Sequence, residues 1–157
     1  MQKQHIVDQL IYTCLRESNA IEDVWDDDSL KQAVLAWEYC VKQPVMTPKV
    51  VLKTHEILMA HHLFSDDLGK FRTCPVYIGG REGKPWFALP ELMEQWCTRV
   101  NTSRTWKKDH CAYEDIHPFI DGNGRSGRIF MQWQRMKLGL PILVIKEQEK
   151  WAYYQWF

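Results

Sequence analysis

The chain has 157 residues, and its 20 Lys and Arg against 20 Asp and Glu give a formal net charge of zero at pH 7. Its 45% hydrophobic content is enough for one core and too high for a disordered chain, which predicts a single domain over residues 1–157. Because the surface carries no overall basic charge, we expect neither a nucleic acid nor a membrane as partner. A local site for an anion is still compatible with this balance.

The five cysteines are odd in number and form no C-x-x-C pair. This pattern indicates reduced, mostly buried thiols rather than disulfides or a zinc ribbon. The sequence also lacks an apolar run of the length that a membrane span needs. We therefore expect a cytoplasmic protein without a membrane anchor, and the oligomeric state is left open, a homo-oligomer included.

Hydrophobic spacing predicts helices over most of the chain. The first covers residues 6–16 and ends near Ser18 and Asn19, and the second is expected to begin at Ser29 as its N-cap. Thr47 followed by Pro48 predicts the cap and first position of a third helix. The expected helices are 6–16, 29–41, 48–61, 89–100, 110–116, 123–138 and 146–157.

Residues 71–87 are the exception to this helical pattern. They contain a short β-branched and aromatic run, a glycine-rich turn and a second aromatic pair, which predicts a small hairpin. An isolated hairpin is not stable in water, so we expect it to lie across the helices as a flap. The predicted fold class is all-α with one small β-hairpin.

The segment 117–128 carries the pattern most suggestive of chemistry. His117 is placed in a loop by the proline that follows it, and Asp121 comes four residues later. Residues 122–124, Gly-Asn-Gly, allow a tight turn whose N–H groups converge, and the turn leads into a helix. Arg125 and Arg128 lie three residues apart on one face of that helix. Backbone donors, a helix N-terminus and two guanidinium groups together suit a polyphosphate.

Two of these residues complete a possible reaction. Asp121 is the type of oxygen ligand with which Mg²⁺ binds beside substrate phosphates, and His117 can accept a proton at neutral pH. Each feature alone is more often structural, but their ordered combination is unlike a chance arrangement. The segment therefore indicates attack of a hydroxyl group on a nucleotide phosphate.

The same segment resembles the signature of the Fic family, H-P-F-x-[D/E]-G-N-G-R-x-x-R, at every specified position. Residues 110–116, 69–72 and 76–80 are similar to the family's run-up to the signature and to its flap. The resemblance covers most of the chain. It implies a Fic-type helical bundle with a β-hairpin flap, in agreement with the pattern above.

The resemblance implies transfer of AMP from Mg²⁺-ATP to a Ser, Thr or Tyr hydroxyl of a target protein of unknown identity, or of the chain itself. His117 is then the general base, Asp121 is the Mg²⁺ ligand, and Arg128 binds the γ-phosphate. The expected nucleotide-binding residues are Gly122, Asn123, Gly124, Arg125, Ser126, Gly127, Arg128, Tyr153 and Tyr154. The flap residues expected to hold the target by strand addition are Val76, Tyr77, Ile78 and Gly79. For the two tyrosines, inward packing of a C-terminal helix is an open alternative.

Ser18 and Glu22 resemble the family's inhibitory motif, [S/T]-x-x-x-E-[G/N], which implies an inhibitory helix and loop in residues 1–28. By this resemblance Glu22 pairs with Arg128 and occupies the donors that the γ-phosphate needs. Asp23 departs from the motif, because the family has Gly or Asn there. The alternative is that this acidic stretch only solvates a loop and caps the next helix.

Other functions also remain open. Related Fic proteins transfer other phosphate-containing groups, and removal of AMP is a further possibility, in which Glu22 would position a water molecule. An alternative of another class is a catalytically silent regulatory module that binds nucleotide; such a module would be expected to lack His117 or Asp121. The spacing of His55, His61, His62 and His110 matches no zinc signature, so roles in packing or on the surface are expected for these four.

Overall fold

The computed structural model describes residues 2–157, with side chains from residue 9 onward. It confirms the all-α fold with one small hairpin. The helices are α1 (Gln2–Ile21), α2 (Asp27–Val41), α3 (Pro48–Leu58), α4 (Leu89–Val100), α5 (Trp106–Ile116), α6 (Asn123–Lys137) and α7 (Lys150–Tyr154). The strands are β1 (Tyr77–Ile78) and β2 (Arg81–Glu82), and two 3₁₀ turns cover Trp86–Ala88 and Glu147–Glu149.

Helix α6 is the centre of the bundle. It packs against α5 and α2, while α2 packs against α3 and α4 packs against α5. Unlike an amphipathic surface helix, α6 is buried on nearly every side from its first turn to Arg135. Large buried side chains from its neighbours, among them Tyr113, Phe119 and Met59, fix the position of its N-terminus. The N–H groups of that end are therefore held in one place.

The structure corrects several predicted helix boundaries. Helix α1 does not end at residues 18–19 but continues to Ile21, since Ser18 and Asn19 are buried against the bundle instead of forming a polar turn. Ser29 is not the N-cap of α2. The carboxylate of Asp26 takes that role and accepts hydrogen bonds from Ser29 N at 2.9 Å and Ser29 Oγ at 2.8 Å. Thr47 caps α3 as predicted, through Val50 N.

Three other elements also differ in extent from the prediction. Helix α3 ends at Leu58 rather than residue 61, and α5 begins at Trp106, four residues before the predicted start. The expected helix over 146–157 is a 3₁₀ turn followed by the short α7. Among the described helices, none is long and apolar enough to cross a membrane.

The end of α1 is closed by a Schellman motif. Val24 N donates to Asn19 O and Asp23 N donates to Ala20 O, both at 3.0 Å. This pattern requires a left-handed residue after the C-cap, and Asp23 has φ 61°. Glu22 is the C-cap itself. The motif turns the chain sharply and presents the Glu22 side chain toward the bundle.

The hairpin is short and is tied to α5. Tyr77 pairs with Glu82, and Ile78 pairs with Arg81, around two glycines of positive φ. Arg81 Nη2 lies 2.6 Å from Asp115 Oδ1, and Lys84 Nζ lies 3.2 Å from Asp115 Oδ2. Asp115 is on α5, so the flap is held close to the end of that helix.

The left-handed Asp23 generates a prediction about stability. We expect Asp23→Ala to lower the free energy of unfolding by about 1 kcal/mol. Alanine has a Cβ atom but no polar side chain that could hydrogen-bond locally, so it is strained in the left-handed conformation. Asp23→Gly should cause no such loss. Urea denaturation measures both, with Asp66→Ala, an exposed aspartate outside the left-handed region, as the control. Equal effects of Asp23→Ala and Asp66→Ala would contradict the strain argument.

Candidate active site

The loop between α5 and α6, residues 117–122, is fixed at both ends. His117 ends α5 in the left-handed region with φ 52°, and Gly122 precedes α6 with φ 84°. At Gly122 a Cβ would lie 2.6 Å from Met59 Sδ, so the position needs glycine for space as well as for its backbone. The Asn123 amide accepts from Phe119 N and donates to Phe119 O, both at 2.8 Å. The loop is therefore rigid.

The hydrogen bonds of His117 define its tautomer. Its Nδ1 lies 3.1 Å from Glu114 O, and because a carbonyl oxygen only accepts, Nδ1 carries the proton. Nε2 is then the basic nitrogen. Burial lowers the pKa of His117, and the positive charges of Arg72 and Arg81 lower it further. His117 is thus neutral and able to accept a proton at pH 7.

Arg72 holds this loop against the flap. Its guanidinium is buried and donates to four main-chain oxygens, those of His117 at 2.7 Å, Lys84 at 2.6 Å, Cys74 at 2.9 Å and Ile116 at 3.3 Å. The main-chain N–H of Arg72 also donates to Pro118 O. The base of the flap and the segment around His117 are therefore one rigid unit. The motif at residues 69–72 points to the flap, but it does not reveal this set of contacts.

His55 supports the other end of the loop. Its Nε2 lies 2.9 Å from Asp121 O, and its Nδ1 accepts from Gly69 N at 3.1 Å, so Nε2 is the donor. The ring stacks on Phe119 at 3.6 Å between centroids. Burial lowers the pKa of His55 to about 4, so it stays neutral. His55 has a structural role and orients the main chain at Asp121.

A pocket of about 110 Å³ brings the predicted residues together. Its lining comes from the C-cap of α1, the loop and the first turn of α6: Glu22, His117, Ile120, Asp121, Gly122, Asn123, Gly124 and Arg125. Within the described chain no side chain caps the N–H groups of this turn. Arg125 is buried beside them, and its Nε has no partner among the described residues. These donors suit an anion.

Asp121 provides the oxygen atoms at the mouth of this pocket. Its side chain is 62% exposed; Oδ1 accepts from Gly122 N at 2.7 Å, while Oδ2 lies 3.9 Å from Arg125 Nη2. No group of three or more His, Cys, Asp or Glu side chains in the described residues could hold a metal unaided. A single carboxylate beside an anion site fits Mg²⁺, which binds through one carboxylate and substrate phosphates.

Arg128 lies behind Glu22 and is not part of the pocket lining. It is 4% exposed, and its Nη2 donates to Glu22 Oε1 at 2.7 Å and to Ser18 O at 3.0 Å. Its Nε donates to Ser18 Oγ at 2.8 Å. Glu22 Oε1 packs directly over Gly124, where any side chain would collide with it. The carboxylate of Glu22 therefore lies between Arg128 and the pocket.

The remaining predicted site residues do not line this pocket. Ser126 Oγ bonds Tyr113 Oη at 2.7 Å, and Gly127 is buried against Glu114 and Tyr113. Tyr153 is 3% exposed and bonds Arg128, whereas Tyr154 is partly exposed beside it. On the flap, Val76 and Ile78 are half-buried, while Tyr77 and Gly79 are exposed.

Glu114 is a buried carboxyl group that the sequence does not single out. It lies against Gly127, and its Oε1 has no hydrogen-bond partner among the described residues. Burial raises the pKa of Glu114 to about 8; the charge of Glu22 acts in the same direction and that of Arg128 opposes it. Glu114 is therefore mainly protonated at neutral pH, and Glu22 carries the negative charge that faces Arg128.

The raised pKa of Glu114 predicts the pH dependence of a variant. An ordinary glutamate loses its proton near pH 4.5, so the folded state loses stability relative to the unfolded state as pH rises toward 8. Glutamine cannot ionise. We expect Glu114→Gln to stabilise the fold more at pH 8 than at pH 5. The free energy of unfolding of the variant minus that of the unchanged chain should be about 3 kcal/mol larger at pH 8 than at pH 5.

Urea denaturation at the two pH values measures this difference. Glu94→Gln, on the exposed face of α4, is the control for loss of a glutamate charge. A difference that is the same at both pH values would mean that Glu114 is ionised in the folded protein.

Fold and site together define a helical protein with a pocket at a helix N-terminus, which a neutral histidine lines. The chain belongs to the Fic/DOC family, which matches residues 45–134. This match includes the segment from His117 to Arg128 but not α1, so it gives no information about Glu22.

The relatives of this chain include proteins named protein adenylyltransferase Fic. The protein from Drosophila persimilis is 33% identical over an alignment of 122 residues, and this alignment covers 73% of this chain and 24% of that protein. The one from Drosophila melanogaster is 32% identical over an alignment of 117 residues, which covers 69% of this chain and 24% of that protein. The chain thus spans about a quarter of the length of these relatives.

Solved structures show the same fold. A Fic domain containing signaling protein from Bacteroides thetaiotaomicron superimposes with a TM-score of 0.80 at 17% identity, covering 94% of this chain and 70% of that one. Fic-1 from C. elegans gives 0.77 at 14% identity, covering 97% of this chain and 56% of that one. At these identities the likeness shows the fold alone.

Proposed function

We propose that this chain transfers AMP from ATP to a hydroxyl group of a protein and that Glu22 inhibits this transfer. The observation that carries the proposal is the single pocket lined by His117, Asp121 and the first turn of α6, with Glu22 in front of Arg128. The family and the names of its adenylyltransferase relatives support the same reaction.

In the proposed reaction, the hydroxyl oxygen of a Ser, Thr or Tyr attacks the α-phosphorus of ATP. The proton of that hydroxyl goes to His117 Nε2, the bond between the α-phosphorus and the bridging oxygen breaks, and pyrophosphate leaves with the electron pair. The Glu114 carbonyl supports this role, because it keeps the other nitrogen, Nδ1, protonated. The rigid loop keeps the base in place.

The anion donors of the pocket fit the nucleotide in this scheme. The N–H groups at the start of α6 and the guanidinium of Arg125 would take the α- and β-phosphates. Asp121 would hold Mg²⁺ together with these phosphates, and a metal held there would supply positive charge to offset that of the departing pyrophosphate. Arg128 would take the γ-phosphate once Glu22 moves aside. The exposed edge of β1 at Tyr77 and Ile78 would hold the target main chain.

Inhibition follows from the position of one carboxylate. The Nη2 of Arg128 donates to Glu22 and to Ser18 O, so both of its N–H groups are occupied. A γ-phosphate that approaches Arg128 finds these donors already occupied, and the negative charge of Glu22 repels it. ATP would then bind without its terminal phosphate on Arg128, in an unproductive pose.

This proposal is tested with labelled ATP and a lysate as the source of targets. We expect Glu22→Gly to raise label transfer to protein, including the chain itself, by at least tenfold, because Arg128 becomes available. The double variant Glu22→Gly with His117→Ala should give background label only. Asp66→Gly, which removes an exposed carboxylate from a loop, is the matched control. Unchanged labelling after loss of Glu22 would remove the inhibitory role.

The lowered pKa of His117 predicts a pH profile for the Glu22→Gly variant. A base must be neutral to act, and burial disfavours its protonated form. The value of kcat/KM should therefore fall only on the acid side, with a midpoint below pH 6.5, and stay level through neutral pH. Label-transfer rates between pH 4.5 and 8 measure this profile, with Mg²⁺ in excess. A midpoint above 6.5 would contradict the proposed environment of the base.

A second candidate reaction is removal of AMP from a modified protein. Glu22 and His117 line the same pocket, which favours a water molecule held by the carboxylate beside the base. Release of AMP from a modified target by the native chain, lost in Glu22→Gly, would support this reaction. The mass added to a target separates AMP from another phosphate-containing group. Absence of both activities in every variant would leave a nucleotide-binding module.

A further inference from the structure

A buried chain of hydrogen bonds connects Arg128 to the main chain of its own helix. Arg128 Nη1 lies 3.3 Å from Tyr153 Oη, which lies 2.8 Å from His110 Nε2. The other ring nitrogen, His110 Nδ1, lies 3.2 Å from Gly127 O. Both Tyr153 and His110 are almost completely buried. Helices α7 and α5 thus meet α6 at one polar contact.

The direction of every proton in this chain is determined. Because Gly127 O can only accept, His110 Nδ1 must donate, and Nε2 is left as an acceptor. The hydroxyl proton of Tyr153 therefore points at His110, and the lone pairs of Tyr153 face Arg128. Burial lowers the pKa of His110 to about 3, which keeps the ring neutral and its acceptor nitrogen available.

Arg128 is therefore held from two sides. On one side are Ser18 and Glu22 at the end of α1, and the Glu22 side chain is 36% exposed at the pocket. On the other side is Tyr153, whose ring packs against Trp156 and Phe157. A ligand that enters through the pocket can displace the Glu22 carboxylate, but it cannot reach the buried contact with Tyr153.

We propose that Tyr153 and His110 are positioning residues that keep the Arg128 guanidinium aimed at the pocket after Glu22 has been displaced, so that a terminal phosphate meets a preformed donor. Arginine side chains have many rotamers, and ordering one on binding costs affinity. The buried contact removes that cost in advance. This inference rests on the proposed function, in which Arg128 binds the γ-phosphate.

The test compares binding of Mg²⁺-ATP and Mg²⁺-ADP by calorimetry in the Glu22→Gly background. Tyr153→Phe keeps the ring and removes the hydroxyl that faces Arg128. We expect affinity for ATP to fall about tenfold, the usual effect of losing a hydrogen bond to a charged group, and affinity for ADP to stay unchanged. ADP has no γ-phosphate, so only loss of Arg128 positioning separates the two nucleotides.

Further variants serve as controls for this test. Arg128→Ala should abolish the preference for ATP over ADP. His110→Gln should retain the preference for ATP, because an amide can donate to Gly127 and accept from Tyr153. His110→Phe should weaken this preference, but by less than Tyr153→Phe does. Tyr39→Phe on α2 removes a tyrosine hydroxyl from an element outside the contacts of Arg128. Thermal unfolding is recorded for each variant.

Two results would overturn this inference without affecting the proposed function. One is an equal loss of ATP and ADP affinity in Tyr153→Phe, which indicates a merely structural role; the other is no loss while Arg128→Ala still abolishes the preference. If Arg128→Ala leaves the preference intact, the proposed role of Arg128 fails and the inference fails with it.

Discussion

The structure depends on a buried positive charge. Arg128 is 4% exposed, and a guanidinium taken out of water is stable only if its donors are satisfied and a negative or polar group faces it. Two elements provide this. Helix α1 supplies Ser18 and Glu22, and α7 supplies Tyr153. The ends of two helices that are remote in sequence are therefore fixed by one side chain of the central helix.

Arg72 is also a buried positive charge, but different groups stabilise it, and this affects what each arginine can bind. It faces four carbonyl oxygens, which offer no net charge, so nothing at that site can be exchanged for a phosphate without breaking the main-chain contacts of the flap. Arg128 instead faces a carboxylate that reaches it from an exposed position. An anion can replace an anion there. Of these two buried arginines, only Arg128 suits reversible binding.

The local pattern predicts the backbone of segment 117–128 well, because a loop histidine, a glycine turn and a helix start are all encoded within twelve positions. The residues that hold this segment in place lie far from it in the sequence. His55 bonds the main chain of Asp121 across 66 positions, and Arg72 reaches His117 across 45. A single histidine or arginine on a helix or in a loop gives no periodic signal of such a contact. The end of α1 also depends on burial. Ser18 and Asn19 are polar, so the local sequence predicts an exposed turn there, although both residues are buried.

The turn after Glu22 needs a residue that tolerates positive φ, and Asp23 occupies this position. The residue after Glu22 must adopt positive φ to complete the Schellman motif, and Gly and Asn do this at the lowest cost, with Asp close behind. Asp23 therefore completes the same turn that Gly or Asn would form.

That geometry also limits how the contact with Arg128 can open. Ala20 and Ile21 are buried in the core just before Glu22, so moving the end of α1 would expose apolar surface. Rotation of the exposed Glu22 side chain exposes none. Exchange of the carboxylate for a phosphate thus needs a change of rotamer rather than a change of fold.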